Sequence, residues 1–95
     1  FVHRSARWLM TYETSWTARD TPITVRAGRE WLAELHATMQ DRGKGVLPQA
    51  YQNFLDPALK DWAHAYYGEA LPKLRRIKRT YDPDRFFDFP HAIPA

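Results

Sequence analysis

From Arg4 to Trp16 the chain alternates. Arg4, Ala6, Trp8, Met10, Tyr12, Thr14 and Trp16 hold the even positions, while Leu9, Thr11, Glu13 and Ser15 between them are mostly smaller or more polar. A period of two with the bulk on one side predicts a long strand with one buried face. Such a strand leaves its backbone N–H and C=O groups for neighbours to satisfy. The rest of the chain offers few neighbours, so part of the sheet is expected to lie elsewhere. The chain also opens at Phe1 rather than Met, and is expected to be a piece of something longer.

Length limits the alternatives. A chain of 95 residues is one small domain at most, and one of this size buries only about two thirds of the surface its unfolded form exposes. The apolar share of 44%, with 15% aromatic residues, points to a packed core rather than a disordered tail. Small domains often add staples, but the absence of cysteine excludes disulfides, thiolate zinc sites and cysteine nucleophiles together. His3, His36, His64 and His91 show no ligand spacing, so no metal is expected. No apolar run approaches the ~18 residues of a membrane helix, so no membrane partner is expected either. The compartment stays open.

The net charge of +3 is mild, and most of it is local. Lys73, Arg75, Arg76, Lys78 and Arg79 cluster, and Asp82, Asp84 and Asp88 follow directly. A basic helix end followed by acids reads as a solvated, dipole-matched face, not a nucleic-acid footprint.

Thr17 to Pro22 reads as a turn in which Asp20 or Thr21 can cap and Pro22 suits a first helical turn. From Thr24 to about Asp41, Ala27, Trp31, Leu32, Leu35 and Met39 define an amphipathic helix, weakened at Gly28. Arg42 to Gly45 stops it. Val46 to Phe54 is expected to be a short strand interrupted by Pro48. Asp56 then caps a helix starting at Pro57 or Ala58 and carrying Leu59, Trp62, Ala63, Tyr66 and Tyr67, which Gly68 breaks. Another helix starts near Glu69, tolerates Pro72 in its first turn and runs to Thr80, with Leu71, Leu74, Ile77 and Tyr81 as its buried stripe. The tail from Asp84 to Ala95 mixes aromatics and prolines without periodicity and is expected to lie extended over another surface. The expected class is α+β: one long strand, an amphipathic helix, a short strand, two further helical segments and an extended tail.

No phosphate-cradling glycine loop or nucleophile elbow occurs in the sequence. The segment Gln49-Ala50-Tyr51-Gln52-Asn53-Phe54 stands apart. If extended, it puts Tyr51 and Asn53 on one face and Gln52 on the other. A phenol and a carboxamide together could line a polar pocket, and a phenol can serve as a base. On spacing alone the alternative is that Tyr51 packs in a sheet and Asn53 makes a turn before Pro57. Trp62, Tyr66 and Tyr67 read as core, and His3 and His91 as structural and surface residues.

The order of motifs adds a further reading. Tyr51-Gln-Asn53-Phe54 with Asp56 is followed by Trp62, Tyr66-Tyr67-Gly68-Glu69, Leu71-Pro72-Lys73-Leu74, Lys78, Tyr81-Asp82-Pro83-Asp84, Phe86-Phe87, Pro90 and Ile93-Pro94. This order resembles the C-terminal berberine-bridge-enzyme-like domain of FAD-linked oxidases, with its Y-x-N-Y-x-D, W…Y-Y/F-G, L-x-x-V/I-K and D-P-x-N-x-F elements. Phe1-Val2-His3-Arg4 is similar to the F-x-H-R that opens a strand of the substrate domain there. Two departures are plain. Arg85 stands where that family usually has Asn, and His91-Ala92 replaces the common Gln-Ser.

The resemblance implies one C-terminal domain over residues 1–95. Residues 1–56 would give a strand and helix of the substrate domain, and residues 57–95 would return to an FAD-binding domain absent from this chain. It implies oxidation of an alcohol, amine or sugar by hydride transfer to FAD, with Tyr51 at the active site as base or substrate contact and Asn53 beside the flavin. The implied partners are that missing domain and a small-molecule substrate. The chain alone is then expected to be inactive. The alternative is a self-associating interaction module without catalytic activity, a homodimer formed through unpaired edges.

Overall fold

The computed structural model describes residues 1–42 and 47–95. Among these it contains α1 (Pro22–Arg42), α2 (Trp62–Tyr67) and α3 (Leu71–Tyr81), a 3-10 turn at Gly68–Ala70, and no strand. The α+β expectation is therefore corrected: the described chain is helical, with long irregular segments. The expected loop at Gly43 to Gly45, and Val46 at the start of the expected short strand, fall outside the described residues. The chain divides into two compact units, Trp8–Pro48 and Phe1–Arg7 with Gln49–Ala95.

In the unit 8–48, Thr21 starts α1. Its Oγ1 accepts the Thr24 N–H at 3.2 Å, and Pro22 takes the first helical position, where no N–H is needed. Asp20 instead closes the preceding turn, accepting the Thr17 N–H at 2.6 Å and the Thr17 hydroxyl at 3.0 Å. Those two bonds, the backbone one foremost, hold its carboxyl below the usual carboxylate value. The helix begins two residues before the expected Thr24. Its half-buried stripe is Val25, Gly28, Leu32, Leu35, His36 and Met39, while Ala27 and Trp31, expected in that stripe, are exposed.

The long strand is corrected too. Residues 6–16 have no strand ladder, and residues 12–16 run beside α1. The Arg29 guanidinium lies 5.2 Å above the Trp16 ring, Thr14 sits against Gly28, and the Tyr12 ring meets His36 at 6.5 Å. Tyr12 meets the helix further along, at His36, than Thr14 and Trp16 do at Gly28 and Arg29, so the two run in opposite directions. The alternation survives in part, with Tyr12 and Thr14 half-buried and Glu13 and Ser15 exposed. Trp8, however, is 88% exposed. The physical reason is that helix side chains, not another strand's backbone, face this segment. The side-chain period is met while the ladder is not.

The unit formed by residues 1–7 and 49–95 holds the buried groups. Tyr66 and Leu71 are each 1% exposed, joined by Ala65, Ala92, His3 and Asp82. Burying a large apolar side chain of this kind stabilises by about 1.5–3 kcal/mol. Gly68 ends α2 at a φ of 46°, a left-handed conformation that favours glycine, and its N–H returns to the His64 carbonyl. The expected helix from Pro57 is shorter than its pattern. Asp56 Oδ1 does accept the Ala58 N–H at 2.9 Å, but residues 57–58 and 60–61 form turns and α2 begins at Trp62. The short strand is corrected as well. Residues 51–54 form a turn closed by the Phe54 N–H on the Tyr51 carbonyl at 3.0 Å.

In α3 the inner stripe starts as expected at Leu71 and Leu74, then turns polar. Ile77 and Tyr81 are exposed, and Lys78 and Asp82 occupy the inward positions. The tail folds back so that His91 stacks on Trp62 at 4.8 Å and meets the Tyr66 ring edge-on at 5.8 Å. His91, read from sequence as a surface residue, is half-buried, and Ala92 behind it is buried.

Candidate functional site

Tyr51 and Asn53 come together, by a route other than the expected one. A strand would have aligned them two residues apart on one face; here the 51–54 turn does so. Asn53 Nδ2 donates to Tyr51 Oη at 3.0 Å. The Tyr51 ring is held edge-to-face by Phe1 at 5.6 Å and by Phe54 at 5.6 Å. Tyr51 is half-buried and Asn53 exposed, so the pair sits at the edge of its unit. Gln52, between them, buries its Oε1 with no hydrogen-bond partner among the described residues. A buried acceptor without a donor is costly, which marks this turn as unfinished. A fixed phenol and a carboxamide on one edge are polar groups of the kind that contact a planar heteroaromatic cofactor or a hydroxylated substrate.

The turn is anchored from behind. The Ala50 N–H donates to the Ala65 carbonyl at 2.9 Å, and His3 Nε2 donates to the same oxygen at 2.7 Å. His3 is buried, and the structural reading of it agrees with this contact. Opposite, the Asp56 N–H donates to Tyr66 Oη at 2.9 Å, fastening the far side of the turn to the most deeply buried phenol. Tyr67, next to it, has its phenol pushed up by burial first and by Tyr66 second, so it gives up its proton less readily than an ordinary tyrosine.

A second cluster ties the tail to α3. Lys78 Nζ bonds Asp82 Oδ2 and donates to the Phe87 carbonyl at 2.6 Å. Asp82 also accepts the N–H groups of Phe86 at 2.6 Å and Phe87 at 3.1 Å. The Lys78 hydrogen bond, then the two backbone N–H groups, hold its carboxyl below the usual range against the opposing effect of burial. Lys78 thus leaves the solvated basic face to which the sequence assigned it. The available signal was the i,i+4 Lys–Asp pair across the helix end just before Pro83. Arg85 takes a φ of 54°, a left-handed conformation in which Asn is much better tolerated than Arg, which gives the departure at that position a backbone meaning. Its Nη2 pairs with Asp88 Oδ1 at 2.8 Å. Among the described residues no three metal-ligating side chains converge, and no helix is long and apolar enough to cross a membrane.

The family follows from the motif-bearing segment. Residues 50–94 match the family described as "Berberine and berberine like". That segment, the C-terminal part of the chain, carries the family's pattern. It is 34% identical over 94 residues to the uncharacterized FAD-linked oxidoreductase YgaK of Bacillus subtilis, covering 99% of this chain and 19% of the relative. It is 28% identical over 99 residues to a carbohydrate oxidase of Microdochium nivale, covering 98% of this chain and 19% of that protein. Against a hexose oxidase of Chondrus crispus the identity is 25% over 103 residues, covering 90% and 19%. The chain spans about a fifth of the length of these curated relatives. No solved structure matches it.

Proposed function

We propose that this chain is the C-terminal part of an FAD-dependent oxidoreductase that oxidises an alcohol, amine or sugar, and that it brings Tyr51 to the active site with Asn53 beside the cofactor. The observation that carries the reading is the Asn53–Tyr51 hydrogen bond at the open edge of a turn pinned on both sides. The family's pattern in residues 50–94, and relatives named FAD-linked oxidoreductases and carbohydrate or hexose oxidases, support it.

FAD, bound mainly by a domain outside this chain, would supply the hydride acceptor. The work of this chain is positional and protonic. The Phe1 and Phe54 rings fix the plane of the phenol. Asn53 Nδ2 occupies a lone pair of Tyr51 Oη, so the Tyr51 O–H points away from the amide, toward the open side. Substrate oxidation requires a hydroxyl or amine proton to leave as hydride departs. For Tyr51 Oη to take that proton it first gives up its own to solvent, and Asn53 Nδ2, donating to the same oxygen, steadies the phenolate that then accepts the substrate proton and returns to the phenol. The chain alone is inactive on this reading, because hydride has no acceptor within it.

The test uses the longer flavoprotein that carries this segment. Tyr51→Phe should keep flavin absorbance and lower turnover by about 100-fold or more, the usual worth of a positioned acid–base group. Unchanged turnover would remove Tyr51 from the mechanism.

A further inference from the structure

We propose that His3 is a positioning residue for Tyr51, acting through the Ala65 carbonyl that it shares with the Ala50 N–H. The inference rests on the reading of Tyr51 above for its catalytic consequence, but not for its geometry. It starts from the end of α2. That helix has only six residues, and Ala65 lies in its last turn, where carbonyls lack an intrahelical partner. Gly68 breaks the helix at a φ of 46°, which leaves the Ala65 oxygen open to other donors. A Cβ at position 68 would make only ordinary van der Waals contact with Val2 Cγ2 at 3.5 Å and His3 Cε1 at 3.7 Å, so the N-terminal residues already lie against the helix end and it is the positive φ that calls for glycine there.

Two donors then converge on one oxygen. His3 Nε2 reaches it at 2.7 Å across 62 residues of sequence, and Ala50 N reaches it at 2.9 Å. A carbonyl has two lone pairs, so both bonds can form together. A carbonyl can only accept, which fixes the proton of neutral His3 on Nε2. Ala50 is the residue before Tyr51, so the shared oxygen sets where the 51–54 turn emerges. A second link runs through rings: His3 meets Phe1 edge-on at 5.5 Å, and Phe1 meets Tyr51 edge-on at 5.6 Å. His3 therefore touches neither substrate nor cofactor, yet constrains Tyr51 through the backbone before it and through the ring that packs on it.

The test has two parts, which separate the geometry from the chemistry. In the 95-residue chain, nitrogen-15 spectra should show His3 as the Nε2–H tautomer. His3→Leu should abolish the Phe1–Tyr51 ring contact seen in proton–proton transfer spectra, and His3→Gln, which keeps a side-chain donor, should retain it. An Nδ1–H tautomer in the unaltered chain, or an undisturbed Phe1–Tyr51 contact in His3→Leu, would overturn the proposal whatever Tyr51 does. The tautomer reading does not depend on any variant folding. In the longer flavoprotein, His3→Leu should lower kcat by up to about 100-fold, the cost of misplacing a catalytic group by about 1 Å, with flavin content kept and KM little changed. His3→Gln should restore most of that loss, and His3→Leu should add nothing further in a Tyr51→Phe background. Additive losses in that double variant would overturn the proposal. A Tyr51→Phe variant with full turnover would instead sink the catalytic reading of Tyr51 and leave the tautomer and ring contact to decide the positioning.

Discussion

The two units of this chain treat similar sequence signals in opposite ways. In residues 8–48 a 21-residue helix forms with no buried residue at all. In residues 1–7 and 49–95 two helices of six and eleven residues surround Tyr66 and Leu71, each 1% exposed. Helix length therefore says little about where the core lies. An α-helix closes its own hydrogen bonds, so caps and a 3.6-residue stripe suffice to make one. A core needs contacts distant in sequence, and here these run between residue 3 and residue 65, between 56 and 66, and between 62 and 91.

Several changes sharpen that contrast. The largest effect is expected at Tyr66. Tyr66→Ala should destabilise its unit by about 3–5 kcal/mol, read as loss of amide protection across α2 and α3. α1, with nothing buried, should show low protection even before the change. High protection along α1 would mean that the contrast is wrong.

Asp82 comes next, and its effect depends on pH. Its carboxyl is held below the usual range in the folded chain, chiefly by Lys78. The stability it adds is therefore fully present above the unfolded carboxylate value and is lost as pH falls through the lower folded value. Acid titration should loosen the Phe86–Phe87 segment in that strongly acidic window, and Asp82→Asn should remove that limb of the curve. An identical acid response in the variant would show that the Lys78–Asp82 pair does not hold the tail.

Arg85→Asn tests a backbone constraint. A left-handed residue other than Gly, Asn or Asp costs about 1–2 kcal/mol, whereas an exposed pair such as Arg85–Asp88 is worth about 1 kcal/mol at most. The variant should be more stable by a few tenths to about 1 kcal/mol in denaturant titration. A clear loss would assign Arg85 a larger role.

The smallest effect falls in the other unit. Gly28→Ala should gain roughly 1 kcal/mol of helix propensity in isolation. Its Cβ would lie 3.0 Å from Thr14 Oγ1, so the net change should be close to zero. The full gain would show that the 12–16 segment does not press on α1.

These particulars also show what the sequence could reveal. Thr21, Pro22 and the apolar spacing in α1, and Gly68 as a breaker, are local signals acting over a few residues, and they were legible. The family was legible because its motifs, each weak alone, occur in order. The strand at 4–16 was misread because a period of two reports side-chain burial, and α1 satisfies that period without offering a ladder. Tyr51 and Asn53 do meet, but through a turn and not through the strand from which their shared face was read. The partner of His3 and the inward swing of Lys78 and Asp82 were hidden because each depends on a segment that no local pattern specifies.

The central claim is that the Tyr51–Asn53 edge opens onto a flavin. A crystal structure of the longer protein with FAD bound measures this directly. The account predicts Tyr51 Oη facing the isoalloxazine across the substrate space, with Asn53 within hydrogen-bond reach of the cofactor or of Tyr51. A Tyr51–Asn53 pair turned away from the flavin and closed off by protein would contradict it.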